Sequence, residues 1–193
     1  YHEAKANLAL AYKSIGKIER SLTVYKKLKF FGSWSQKAQF NYATILLTIG
    51  NFKEGWKYYE YRWKITPQNK VIWPIQDKPV WAGEKGKRVV LWREQGIGDE
   101  VIFLSLISEV KQMCARLSVY VDPRLQALCK RAMPDINFVK DIKELQNVEC
   151  EYHLPLGSVP GLIRNDISDF DRTVRGYFKA DPDRVEAIRN ELE

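Results

Sequence analysis

Apolar residues recur at helical spacing through the first 65 positions of the chain and then stop doing so. The pattern predicts helices at 2–15, 18–30, 35–49 and 52–65. It also repeats itself. Asn7-Leu8-Ala9 aligns with Asn41-Tyr42-Ala43, Gly16 with Gly50, Ile18 with Phe52, Ser21 with Gly55 and Tyr25 with Tyr59, always at an offset of 34 residues. The paired types make physical sense. Small residues at Ala9, Ala43, Ser21 and Gly55 let two helices approach closely. Gly16 and Gly50 suit turns between helices, where a left-handed backbone is often needed. Tyr25 and Tyr59 are expected to plug the space between hairpins, and Pro67 to stop the last helix.

An offset of 34 residues is the tetratricopeptide period. Two such hairpins fall short of the roughly three units that bury a solenoid core. Either further repeats lie upstream, or the second hairpin docks on a later part of the chain. Residues 56–63 hold five aromatics in eight positions, which favours docking. Trp56 and Trp63 are read as packing residues rather than ligand-stacking ones.

From 66 to 87 the periodicity is gone, and Pro67, Pro74, Pro79, Gly83 and Gly86 mark an extended connector. Trp73 and Trp81 are expected to pin it to the surface. Short β-rich runs then alternate with helical ones. Strands are predicted at 88–93, 117–121, 136–139 and 151–154, and helices at 99–114 and 124–132. Such alternation implies a parallel sheet with right-handed crossovers. Ligands of these sheets sit beyond the C-terminal strand ends, which singles out loops 94–99, 122–124 and 154–160. The domain reading is helical hairpins at 1–66, a linker at 67–87 and an α/β domain at 88–193. The last stretch, from Asp181, is an amphipathic helix with Pro182 near its first turn.

Charge is divided unevenly. Residues 1–75 hold 13 Lys/Arg and 4 Asp/Glu, a balance of +9, and residues 76–193 hold 18 and 20, a balance of −2. A solvated lysine-rich helix face explains this most simply. Nucleic acid, anionic lipid or an acidic protein are the other partners it can attract. No RNA-binding signature or zinc-finger spacing points to nucleic acid. No apolar run reaches the ~20 residues of a membrane span, and no secretory leader is visible. Tyr1-His2-Glu3-Ala4 reads as the inside of a helix, so the chain is expected to be a segment of a longer protein. Cys114, Cys129 and Cys150 are odd in number and lack CxxC spacing, which fits a reducing cytoplasm. His2 and His153 are the only histidines, so neither a His/Cys zinc site nor another metal or cofactor is expected.

The sharpest chemical feature is Glu94-Gln95-Gly96-Ile97-Gly98-Asp99 at a predicted strand-to-helix turn. Two glycines let the backbone turn tightly and let a ligand approach the main chain. A P-loop is excluded because no Gly-Lys-Ser/Thr comes after it. A dinucleotide fingerprint is disfavoured. Val101 holds the third glycine position, and Asp99 and Glu100 set negative charge where a pyrophosphate would sit. Asp99 has two readings. It can cap the helix, or it can act as a general base toward an acceptor hydroxyl. His153, near the end of the fourth strand, is read either as a hydrogen-bonded, partly buried histidine or as a residue lining the same cleft. Arg93 and Arg124 either solvate the cleft entrance or hold an anionic group there.

The segment Val90-Leu-Trp-Arg-Glu-Gln-Gly-Ile-Gly-Asp-Glu-Val-Ile-Phe103 resembles the start of heptosyltransferase-like glycosyltransferases. Bacterial proteins that fuse tetratricopeptide repeats to such a domain resemble the chain further. The matching pieces are Gly55-Trp56-x-x-Tyr59-Glu60-x-Arg62-Trp63, Pro79-x-Trp81-x-Gly83 and Leu156-Gly-Ser158-Val-Pro160. The resemblance implies a Rossmann-like domain that is the N-terminal, acceptor-side half of a GT-B architecture. It implies Asp99 as catalytic base, with Arg93, Gln95, Gly96, Ile97, Gly98 and His153 around the acceptor. The acceptor is expected to be a glycan, a lipid-linked glycan or a protein. The nucleotide-sugar is expected on a second, C-terminal domain, so this segment alone is expected to be inactive. The alternative is a protein-interaction module whose α/β part is a scaffold.

Overall fold

A computed structural model describes residues 2–32, 34–65, 73–172 and 176–192. The expectation for Pro67 lies outside the described residues. The protein is mixed α/β, with many helices and one four-stranded, all-parallel sheet. Among the described residues no helix is long and apolar enough to cross a membrane. The chain divides into two units. One is Tyr1–Ile72 with Pro160–Arg172, and the other is Trp73–Val159 with Thr173–Glu193.

The first unit opens with α1 (His2–Ser14), α2 (Ile18–Phe30), α3 (Gln36–Thr48) and α4 (Phe52–Tyr59). The 34-residue offset is visible in the backbone. Gly16 and Gly50 turn the chain between helices at φ of +74° and +79°. Small residues bring the helices together. Ser21 Oγ donates to the Ala9 carbonyl at 2.6 Å, which draws α2 onto α1. A Cβ on Gly55 would stand 2.6 Å from Leu47 Cδ2, so α4 meets α3 only because that Cβ is missing. Tyr25 is fully buried among Ala6, Ala9, Tyr42 and Ile45, whereas Tyr59 is half-buried against Phe40 and Trp56.

The fourth helix stops earlier than the spacing predicts. Tyr61 N–H donates to Tyr58 O at 3.1 Å and Trp63 N–H to Glu60 O at 3.3 Å, bonds that tighten the chain into a turn before α5 (Arg62–Ile65). Arg62 is buried there. It pairs with Glu60 at 2.7 Å and lies over the Tyr59 and Trp63 rings. The second hairpin docks on a later part of the chain, residues 160–172. Trp56 Nε1 donates to Arg164 O at 2.7 Å, and the Phe52 and Phe170 rings lie 4.6 Å apart. Gly161 of α10 (Pro160–Ile163) places its backbone beside Trp56.

The second unit is built on β1 (Lys87–Trp92), β2 (Cys114–Tyr120), β3 (Asn137–Val139) and β4 (Tyr152–Pro155), in the order β3-β2-β1-β4. Val90 is in register with Ser118 on one side and His153 on the other. Val89 to Trp92 are all buried, as expected of a central strand covered on both faces. The long helix predicted at 99–114 is two, α6 (Ile97–Leu104) and α7 (Ile107–Met113). The break falls at Ser105. Its hydroxyl donates to Ile102 O at 2.6 Å, and the N–H groups of Ser105 and Leu106 reach back only three residues. α8 (Pro123–Ala132) is where the sequence places it, and α9 (Ile142–Gln146) is an addition. α11 (Pro182–Leu192) buries no residue. The residues before it are held by Tyr177, whose hydroxyl donates to Val101 O, and by Arg131, which bonds Lys179 O and Asp181.

The connector differs from its expectation. From Trp73 onward it belongs to the sheet unit, with Trp73 half-buried and Trp81 in the interior rather than on the surface. Trp81 is fully buried, and its Nε1 donates to Glu84 O at 2.9 Å. Val80 forms a parallel bridge with His153, flanked by Trp81 N–H to His153 O at 2.8 Å and His153 N–H to Pro79 O at 3.2 Å. β4 is an edge strand with unpaired backbone groups, and this segment satisfies them.

Candidate functional site

In the order β3-β2-β1-β4 the chain direction of strand addition reverses beside β1. The crevice beyond β1 and β4 is therefore the place where an open parallel sheet offers a ligand site. The Gly96-Ile97-Gly98-Asp99 turn comes after β1, and the Leu156–Ser158 turn after β4.

Gly96 is the N-cap of α6, extended at φ −70° and ψ 161°. Its N–H donates to Asp99 Oδ2 at 3.2 Å, and its carbonyl accepts from Glu100 N–H at 3.0 Å. Asp99 is half-buried, and among the described residues its Oδ1 has no hydrogen bond or ion pair. Gly98 is exposed, with open space where a Cβ would stand. Ile97 is half-buried beside it. Asp99 thus does the capping with one oxygen and offers the other.

The neighbouring carboxylate has the opposite fate. Glu100 shares the inward face of α6 with Phe103 and Leu104 and is buried with them. Its Oε2 accepts from Asp122 N–H at 2.7 Å. Arg93 Nε stands 2.7 Å from Glu100 Oε1, an ion-pair distance reached off the hydrogen-bond line. The same guanidinium lies 2.9 Å from Asp122 Oδ2. Burial pushes the Glu100 pKa up, against the pull of Asp122 N–H and Arg93. Asp122 caps α8 through Arg124 N–H and takes a two-pronged bond from the Arg124 side chain at 2.8 and 3.0 Å. Those bonds hold its carboxyl well below the usual range.

Beyond β4, Gly157 forms a floor. A Cβ there would collide with Glu94 Oε1 and stand 2.7 Å from Gln95 Nε2, so both side chains lie directly on the glycine backbone. Gln95 Nε2 donates to Glu94 Oε1 at 3.2 Å.

The structure gathers Gln95, Gly96, Ile97, Gly98 and Asp99 into one turn at the crevice. It does not leave Arg93 free for an anionic group, because Glu100 and Asp122 already neutralise it. His153 is a correction. It is buried, and its Nδ1 accepts from Trp92 Nε1 at 3.0 Å, with the Trp73 ring packed edge-on at 5.4 Å. A histidine so enclosed is a core residue. Burial lowers its pKa, only partly countered by the Lys78 backbone and Asp77.

The roles of three site residues, Asp122, Glu100 and Glu94, went unread in the sequence. Asp122 was legible, since Asp-Pro is the signature of an N-cap with proline next to it in the first turn. The burial of Glu100 was legible too, in its spacing from Phe103 and Leu104. The position of Glu94 over Gly157 had no local signal. Among the described residues no group of three or more His, Cys, Asp or Glu side chains is placed to hold a metal ion.

No family model matches the chain, and no solved structure matches it. It is similar to Protein FlbA of Caulobacter vibrioides, with 33% identity over 144 residues. The match takes in 70% of this chain and 24% of that protein, so the chain spans about a quarter of the length of this curated relative.

Proposed function

We propose that the chain carries tetratricopeptide-type hairpins and the Rossmann-like, acceptor-side domain of a heptosyltransferase-like, GT-B glycosyltransferase. The observation that carries this reading is Asp99. It stands at the strand-order reversal, on a Gly-x-Gly-Asp turn, with one oxygen on Gly96 N–H and the other open. A carboxylate so held keeps its geometry while it accepts a proton. The acceptor hydroxyl would give its proton to Asp99 as its oxygen bonds to the anomeric carbon of the donor. The bond from that carbon to the nucleotide phosphate then breaks, and its electron pair leaves with the phosphate. The open backbone at Gly98 gives the acceptor room, and Gln95 lies in the same turn. The 34-residue offset, the small residues at helix crossings and the parallel sheet support the same reading. So does the absence of a glycine at Val101, which turns the motif away from dinucleotide binding. The donor is assigned to a further domain, and the place of action to the cytoplasm.

A second reading has its own observation. Arg93 is neutralised, and Glu94 and Gln95 rest on the crevice floor at Gly157. A scaffold that presents the basic hairpins to a protein partner would need no more than this. Incubating the full-length natural protein with a panel of labelled nucleotide-sugars and lysate acceptors separates the two. Label transferred to an acceptor supports the transferase. No transfer from any donor, alongside intact folding, leaves the interaction module.

A further inference from the structure

One turn of the helical unit carries apolar side chains that its core does not use. The core takes Leu22, Tyr25 and Leu28 from α2. The helix then runs on to Phe30 and its cap, Phe31, which are 84% and 66% exposed. Their rings lie 5.2 Å apart, edge to face, and form one apolar point. The repeat does not ask for them, because the residues 34 positions later are Lys64 and Ile65. The turn that carries them is built on both sides. Gly32, at φ +63°, ends α2, and Ser35 caps α3 by accepting from Ala38 N–H at 3.2 Å. Trp34 holds the turn down, its ring 5.4 Å from that of Tyr42 and 5.3 Å from that of Tyr58.

The surroundings are basic. From Arg20 to Lys53 the chain has six Lys/Arg and no Asp/Glu. Lys29 is taken by Glu54 at 2.6 Å. Lys26, Lys27 and Lys37 are exposed, and among the described residues they form no ion pair. Lys26 and Lys27 precede Phe30 and Phe31 by four residues, so each shares a helix face with one ring and sits about 6 Å behind it along the axis. Lys37 stands in the first turn of α3, on the other side of the apolar point.

An apolar point with ammonium groups one helical turn behind it matches the layering of an anionic membrane surface. Aromatic rings enter the boundary between headgroups and acyl chains, about 5–10 Å deep, while lysines stay at the level of the phosphates. A side chain as exposed as Phe30 stands out from the surface rather than lining a groove, which disfavours a peptide as occupant. We propose that the α2–α3 turn is a membrane-surface contact, in which Phe30 and Phe31 insert among anionic lipids and Lys26, Lys27 and Lys37 bind their headgroups. Two rings and three lysines make a reversible contact, not an anchor. The inference stands apart from the transferase reading, since it concerns one turn of the helical unit.

Sedimentation of the full-length natural protein with vesicles tests this. Binding is expected to phosphatidylcholine vesicles with about 30% phosphatidylserine, and not to phosphatidylcholine alone. The double variant Phe30→Ser/Phe31→Ser is expected to bind about tenfold more weakly or worse, with its thermal midpoint unchanged because neither ring is in the core. Lys26→Gln and Lys27→Gln are each expected to cost about fivefold at low ionic strength. Ile15, 62% exposed beside the Gly16 turn, supplies the control, and Ile15→Ser is expected to bind like wild type. Wild-type protein that stays in the supernatant with anionic vesicles overturns the proposal. So does vesicle binding that the double phenylalanine variant leaves unchanged. A point that instead joins two copies, or grips single-stranded RNA, would show phenylalanine-dependent dimers or RNA retention without vesicle binding, and either result overturns it as well.

Discussion

Neighbouring residues of like chemistry part company in this protein, and local packing decides which way each goes. Asp99 and Glu100 are consecutive carboxylates on one helix turn. The first faces the crevice and the second is buried with Phe103 and Leu104. Gly55 shows the same sensitivity in the hairpins. Alanine there gains helix propensity of about 1 kcal/mol but forces its Cβ onto Leu47 Cδ2 and Cγ, at 2.6 and 2.9 Å. Overpacking of this kind costs about 1–3 kcal/mol, so Gly55→Ala is expected to be destabilising in urea titration despite the better helix former. His153 yields a pH prediction. Burial lowers its pKa below the ordinary value of about 6.5, so the unfolded chain takes up the proton first. Its contribution to stability is intact above that value and is lost as the pH falls below it toward the lowered pKa. The urea midpoint is expected to fall between about pH 7.5 and pH 5.5, and to fall less in His153→Gln, whose amide oxygen can still accept from Trp92. Glu100, raised by burial, tilts the opposite way, but equally in both proteins.

At the scale of elements, the helices and strands were legible wherever periodicity was local. The hairpin turns at Gly16 and Gly50, the strand ending at Trp92 and the capped start of α8 all arise from short-range chemistry. Partners distant in sequence were not legible. Trp92 and His153 are 61 positions apart, and only the pairing of β1 with β4 brings them together. The connector was misread for the same reason. Its prolines and glycines correctly exclude a helix, yet nothing local says that Val80 pairs with β4. Two substitutions test these element assignments. Trp81→Ala is expected to cost about 3–5 kcal/mol, the range for emptying a tryptophan site in a core, whereas a surface pin would cost far less. Trp56→Phe removes the bond to Arg164 O while keeping most of the ring contacts. Its expected cost is about 1 kcal/mol, with faster hydrogen exchange across 160–172 as the readout that identifies the lost docking.

Across the molecule, the helical unit and the sheet unit each hold one part of the functional account. The helical unit carries the positive charge. The sheet unit carries the turn at the strand-order reversal. Of the candidate site, the Gly96–Asp99 turn could be read directly from the sequence. The neutralisation of Arg93 could not, because its partners come from α6 and from the loop after β2. The proposed transferase rests on Asp99 as base, and the direct measurement is the rate of sugar transfer by full-length Asp99→Asn. Asparagine keeps an oxygen for Gly96 N–H, so the turn and the thermal midpoint are expected to survive. With the base gone, transfer is expected to fall about 10²- to 10⁴-fold. A folded Asp99→Asn protein that transfers sugar at the wild-type rate would contradict the account.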